Sequence, residues 1–124
     1  MGYFTQHTLR VRRLIDERQF DELQNELKSR ELIHYAINDG EYNDKYKEAE
    51  FPCYEEAKWY EHSKDMVMIS EKFPNAYFEL FGEGEEFGDY WKEYYHDGEC
   101  EFCRGEIVYE EPKKVQWDNL LVNF

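Results

Sequence analysis

Hydrophobic and polar positions change period several times along the chain, and each change predicts an element. Residues 3–13 alternate: Tyr3, Thr5, His7, Leu9 and Val11 fall on one side, and Gln6, Thr8, Arg10 and Arg12 mostly on the other. Period two is the signature of a β-strand, whose successive side chains point to opposite faces. Asp16 then stands where an N-cap is needed, with Glu17 beside it, and Phe20, Leu23 and Leu27 follow at helical spacing. A helix over 17–30 is predicted. Alternation returns over 31–37, where Leu32, His34 and Ala36 oppose Ile33, Tyr35 and Ile37; this predicts a second strand, closed by Asn38-Asp39-Gly40. Residues 39–55 are polar and acidic without a clear period and read as a long loop. Ala57 and Trp59, alternating with Lys58 and Tyr60, allow a short strand over 56–61.

Ser63 can cap a second helix, in which Met66, Ile69 and Phe73 form one apolar edge and which Pro74-Asn75 stops. Residues 76–81 read as a strand closed by Gly82-Glu83-Gly84-Glu85-Glu86. Residues 87–95 and 99–109 flank Asp97-Gly98, the strongest hairpin signal, because a type I′ turn needs positive φ at both central positions. With those two residues as the turn, His96 faces Glu99, Tyr95 faces Cys100, Glu93 faces Phe102 and Trp91 faces Arg104. Trp91, Tyr95, Cys100 and Phe102 then share a side, taken as the core side, and Tyr90, Tyr94, Glu101 and Tyr109 share the other. Val115, Trp117, Leu120, Leu121, Val122 and Phe124 make a last apolar cluster in the tail, 112–124. The expected fold class is α+β: two helices on one face of a mostly antiparallel sheet, in ferredoxin-like βαββαβ order, with a C-terminal β-hairpin.

Composition makes this one folded domain spanning 1–124. The chain is 19% aromatic, far richer than an acidic disordered segment, although its formal net charge is −14. The charge is uneven. Residues 79–111 carry 12 acidic residues against Lys92 and Arg104, whereas residues 1–30 are nearly neutral. Such a balance argues against direct nucleic-acid binding, which needs clustered Lys and Arg. The chain shows neither an apolar run long enough for a membrane span nor a signal peptide, and its three cysteines read as reduced thiols of a cytoplasmic protein.

Several strings carry a likeness. Tyr3-Phe4-Thr5-Gln6-His7-Thr8-Leu9, Lys58-Trp59-Tyr60, Asp65-Met66, Ser70, Phe73-Pro74, Phe78-Glu79-Leu80, Gly82-Glu83-Gly84-Glu85, Gly88-Asp89-Tyr90-Trp91 and the Asp97-Gly98 turn together resemble the YubB-like ferredoxin-like domains of phages, plasmids and bacterial mobile elements. The likeness covers roughly residues 3–13 and 56–109. It implies a fold and a mobile-element context, and it carries no catalytic residues across.

Candidate chemistry concentrates in 83–101. Glu83, Glu85, Glu86, Asp89, Glu93, Asp97, Glu99 and Glu101 could present carboxylates in place of phosphates to a basic nucleic-acid-binding protein or nuclease, with Tyr90 and Tyr94 as anchors. The expected function is a non-enzymatic binding protein that inhibits a host defence nuclease in this way. The alternatives are a solvated acidic face and an accessory interaction domain, monomeric or homodimeric. Cys100 and Cys103, with His96 and Cys53, have the look of a zinc site, but one knuckle is too little and the two thiols point to opposite faces of a strand. Glu83, Glu85, Glu86 and Asp89 lack EF-hand spacing. No hydrolase, metalloprotease or P-loop string occurs. No metal, cofactor or catalytic residue is therefore expected.

Overall fold

A computed structural model describes residues 3–114. Its elements are β1 (Thr5–Arg12), α1 (Glu17–Ser29), β2 (Glu41–Asn43), β3 (Glu48–Phe51), α2 (His62–Lys72), β4 (Tyr77–Gly84), β5 (Tyr90–His96) and β6 (Glu99–Arg104). The six strands form one antiparallel sheet in the order β2-β3-β1-β4-β5-β6. The chain is thus α+β, with two helices and one sheet.

β1 sits in the middle because it can be satisfied on both edges and on one face. It pairs with β3 on one side and β4 on the other, and its odd residues Thr5, His7, Leu9 and Val11 are buried. Above them lie Phe20, Leu23 and Leu27 of α1 and Met66 and Ile69 of α2. Each such side chain contributes about 1.5–3 kcal/mol by leaving water. The cap of α1 is as predicted: Asp16 Oδ1 accepts the Gln19 N–H at 2.9 Å.

β2 and β3 come from segments other than those predicted. Residues 31–37 make no strand. Leu32 N–H donates to Leu27 O at 3.0 Å, Glu31 and His34 take left-handed φ of 62° and 65°, and Ile33 and Ile37 meet only in an isolated bridge. Leu32, Ile33, Ala36 and Ile37 are nevertheless buried. Their alternation recorded burial of a compact turn, which short apolar runs do not distinguish from a strand. The expected loop over 39–55 instead holds β2 and β3. Asn43 Oδ1 accepts from the backbone of Lys45 (3.0 Å) and Tyr46 (3.3 Å) and turns the chain between them. Gly40 is required where it stands, because a Cβ there would fall on the Phe51 ring. The short strand over 56–61 reduces to one bridge, Ala57 to Thr5.

α2 begins one residue before the expected cap. Glu61 is its N-cap and makes no side-chain hydrogen bond, while Ser63 lies inside the first turn. β5 and β6 pair around Asp97-Gly98, with φ of 43° and 83° and Tyr95 opposite Cys100. The turn is tied to the other end of α2, where Gly98 N–H donates to Ser70 Oγ at 2.9 Å. β6 ends at Arg104 rather than 109. The apolar cluster from Val115 to Phe124 lies outside the described residues.

Candidate functional site

Because both helices cover the same face, the even-numbered side chains of β1 and β5 and the odd-numbered ones of β4 and β6 project from the other face, which no element of the described residues covers. The strand registers order them into rows. One row runs Glu41, Glu50, Arg10, Glu79, Tyr94, Glu101 from edge to edge. The next holds Thr8, Phe81, Lys92 and Cys103, and beyond it lie Gln6, Glu83 and Tyr90. At the opposite end, Tyr77 stacks on His96 with ring centroids 4.1 Å apart.

The centre of this face is aromatic and cationic. Phe81 lies between Arg10, whose guanidinium is 5.3 Å from the ring centroid, and Lys92, whose ammonium is 4.8 Å away. Arg13 covers Tyr77 at 4.7 Å. Arg10 is also paired with Glu50 at 3.3 Å, and neighbouring Arg12 pairs with Glu79 at 3.7 Å. Two grooves mark the face. One of about 420 Å³ is lined by Thr8, Phe81, Tyr90, Lys92 and Cys103, and one of about 720 Å³ by Arg12, Tyr77, Tyr94, His96 and Glu101.

The ten residues expected to bind a partner separate into four places. Glu83, Tyr90, Tyr94, Glu99 and Glu101 share the open face. Glu85 and Glu86 lie in the exposed turn between β4 and β5, and Asp97 lies at the far tip of the hairpin. Among the described residues, Glu83, Glu85, Glu86, Asp97, Glu99 and Glu101 form no ion pair. Asp89 is engaged. It accepts from Tyr3 Oη and pairs with Arg104 Nη1 at 3.0 Å. The Tyr3 hydroxyl, and behind it Arg104, hold its carboxyl below the usual range against partial burial. Glu85 Oε1 accepts from Phe4 N–H at 2.8 Å and fixes the turn to the N-terminus.

Glu93 is the correction. It is 1% exposed and points into the core, so it cannot meet a partner. Trp91 Nε1 donates to its Oε2 at 2.8 Å, and the Tyr95 hydroxyl donates to its Oε1. Ser63 Oγ lies 3.4 Å from Oε1. His62 Nδ1 lies 2.8 Å from Oε1, at ion-pair distance but off the line of an N–H···O bond. Burial pushes the Glu93 carboxyl up, yet His62, Tyr95 and Trp91 together hold it below its ordinary value. Burial and the neighbouring carboxylate raise the Tyr95 hydroxyl. The carboxylate sits against the first turn of α2, whose uncapped N–H groups favour negative charge. Beside it, His7 is 1% exposed, packs edge-on against Trp59 at 5.1 Å, and has no hydrogen-bond partner at either ring nitrogen. Neither open-face groove is lined by His7, His62 or Glu93.

Cys53, Cys100 and Cys103 are free thiols. Cys100 and Cys103 lie on opposite faces of β6, and among the described residues no group of three or more His, Cys, Asp or Glu is placed to hold a metal ion. No helix among them is long and apolar enough to cross a membrane. Sequence reasoning did not bring together the cations and aromatic rings of this face, Arg10, Arg12, Lys92, Tyr77 and Phe81. Arg10 and Arg12 were visible as the polar phase of β1, but only the register brings them beside Phe81 and Lys92. Comparison with family models, with curated proteins and with solved structures finds no match to this chain.

Proposed function

We propose that this chain is a non-enzymatic binding domain that docks a basic, nucleic-acid-handling protein on its uncovered sheet face. The observation that carries the reading is the pattern of that face. Phe81 at the centre, with Tyr94 beside it and Tyr77 and Tyr90 toward the two ends, offers aromatic anchors, and Glu83, Glu99 and Glu101, with Glu85 and Glu86 in the adjoining turn, form an anionic rim without ion pairs among the described residues. Protein interfaces combine such anchors with a polar rim. A carboxylate rim steers cationic partners and opposes nucleic acid itself.

The sharper form of the proposal is inhibition of a host defence nuclease, of the CRISPR or restriction type, by occupying its nucleic-acid groove. The strand order β2-β3-β1-β4, with a helix joining β1 to β2 and β3 to β4, supports a ferredoxin-like βαββαβ core with β5 and β6 appended as a hairpin. That reading is in keeping with a YubB-like domain of a phage or mobile element.

The test is binding of purified restriction endonucleases and Cas nucleases to the immobilised chain across a salt series, with and without competing DNA. Binding should weaken as salt rises and should be displaced by DNA. Replacing Glu83, Glu85 and Glu86 together by Lys should weaken it ~tenfold or more. Affinity unchanged by the triple reversal would refute docking through this rim. A concentration-dependent dimer that binds no nuclease would favour the accessory-domain alternative.

A further inference from the structure

We propose that the outer edge of β6, unpaired among the described residues, is a docking site for an extended cationic segment of a partner protein, added to the sheet as a seventh strand with its basic residues opposite Glu99 and Glu101. Among the described residues β6 closes one side of the sheet, pairs with β5 alone, and is exposed at all six positions. The opposite edge, β2, has only three.

The turn determines which backbone groups are free. A two-residue turn makes His96 and Glu99 a hydrogen-bonded pair. At the other end of the hairpin, Gly105 N–H donates to Tyr90 O at 2.7 Å, which is the same phase. Glu99, Glu101 and Cys103 therefore turn their N–H and C=O groups inward to β5, and Cys100, Phe102 and Arg104 turn theirs outward. Natural edges are commonly guarded by charged side chains, above all lysine, by proline or by a bulge. β6 contains no lysine or proline, its register with β5 is unbroken from Trp91–Arg104 to His96–Glu99, and its guards, among the described residues, are the unpaired carboxylates Glu99 and Glu101, with Arg104 held by Asp89.

The same phase selects the occupant. An incoming antiparallel strand would bond to Cys100, Phe102 and Arg104. Residues opposite Glu99 and Glu101 would then fall in non-hydrogen-bonded pairs, where side chains approach closest and opposite charges are favoured. On the other side of the sheet the newcomer would meet Phe102, 53% exposed and stacked on Trp91. The segment that fits alternates lysine or arginine with apolar residues. A second copy fits poorly. Pairing centred on Glu101 sets two carboxylates together, and pairing centred on Phe102 leaves Glu101 facing Cys103.

This inference shares with the proposed function only the basic character of the partner. The probe is an eight-residue peptide alternating lysine and valine, and the readout is amide hydrogen exchange on the full chain. Saturating peptide should slow exchange at Cys100, Phe102 and Arg104 ~tenfold or more, with Glu99, Glu101 and Cys103 little changed. A glutamate-for-lysine peptide, and one N-methylated on its bonding edge, should leave the rates unaltered. Phe102→Pro removes the middle outward N–H at an edge position that tolerates proline, and should abolish binding. Equal binding of the N-methylated peptide, protection on the open face instead, no binding, or a β6-mediated dimer that excludes the peptide would overturn the proposal. Should Phe102→Pro fail to fold, the N-methylated peptide decides. Nuclease capture without peptide binding refutes the edge alone, and peptide binding without nuclease capture refutes only the proposed function.

Discussion

His7 shows how one buried side chain can set a pH range. Burial, then the neighbouring His62, pushes its imidazole down from 6.5 to about 4, against the pull of Glu93. The unfolded chain accepts a proton that the folded chain refuses, so stability is full above pH 6.5 and is lost as pH falls toward 4. At about 1.4 kcal/mol per pH unit the loss over that window is about 3 kcal/mol. Glu93, held below its ordinary value, gives a loss of the same sign as it titrates at lower pH. The urea midpoint should fall between pH 7 and 4.5, and His7→Phe, which keeps a flat ring without titratable nitrogens, should flatten the dependence. Equal midpoints at both pH values would show that His7 takes up its proton without penalty. Glu93 itself was legible in outline. The turn placed Trp91 and Tyr95 inside, and a residue between them at period two shares their side. The abundance of surface carboxylates hid that consequence, and nothing in the sequence announces that His62 and Ser63, thirty residues away, supply its surroundings.

Among elements, the β4–β5 pair has the least tolerance. Gly82 pairs with Trp91, whose indole occupies the space a Cβ would need. Gly82→Ala should cost about 1–3 kcal/mol, measured by urea unfolding, and should shift the Trp91 emission as the ring is displaced. An unchanged midpoint would mean that the indole can move freely. Elements were legible where local chemistry dictates them: the Asp16 cap, and the Asp97-Gly98 register, which agrees with the observed pairing of Trp91 with Arg104 and His96 with Glu99. They were illegible where they are short. β2 and β3 have three and four residues, too few to establish a period, and the pairing of β3 with β1 is a long-range choice. In 31–37 the alternation reads as a strand, but the backbone that buries Leu32, Ile33, Ala36 and Ile37 is a turn.

For the whole molecule the governing quantity is a net charge of −14 distributed mainly over one half of the chain. Self-repulsion of that size opposes compactness, and exposed charges are screened within ~10 Å at 0.1 M salt. Raising sodium chloride from about 0.05 to 0.5 M should therefore raise the urea midpoint, in the opposite sense to its effect on partner binding. A falling midpoint would mean that the surface ion pairs, such as Arg10–Glu50 and Lys72–Glu26, outweigh the repulsion.

α2 is held to the β5–β6 hairpin at both ends, through the Ser63 and His62 contacts with Glu93 and through Ser70 Oγ to Gly98 N–H. Fraying of the hairpin tip cannot proceed inward without loosening the helix, and unwinding of the helix exposes a carboxylate that water must then solvate. Helix and hairpin should open as one cooperative unit, so the surface offered to a partner keeps its shape until the whole unit gives way.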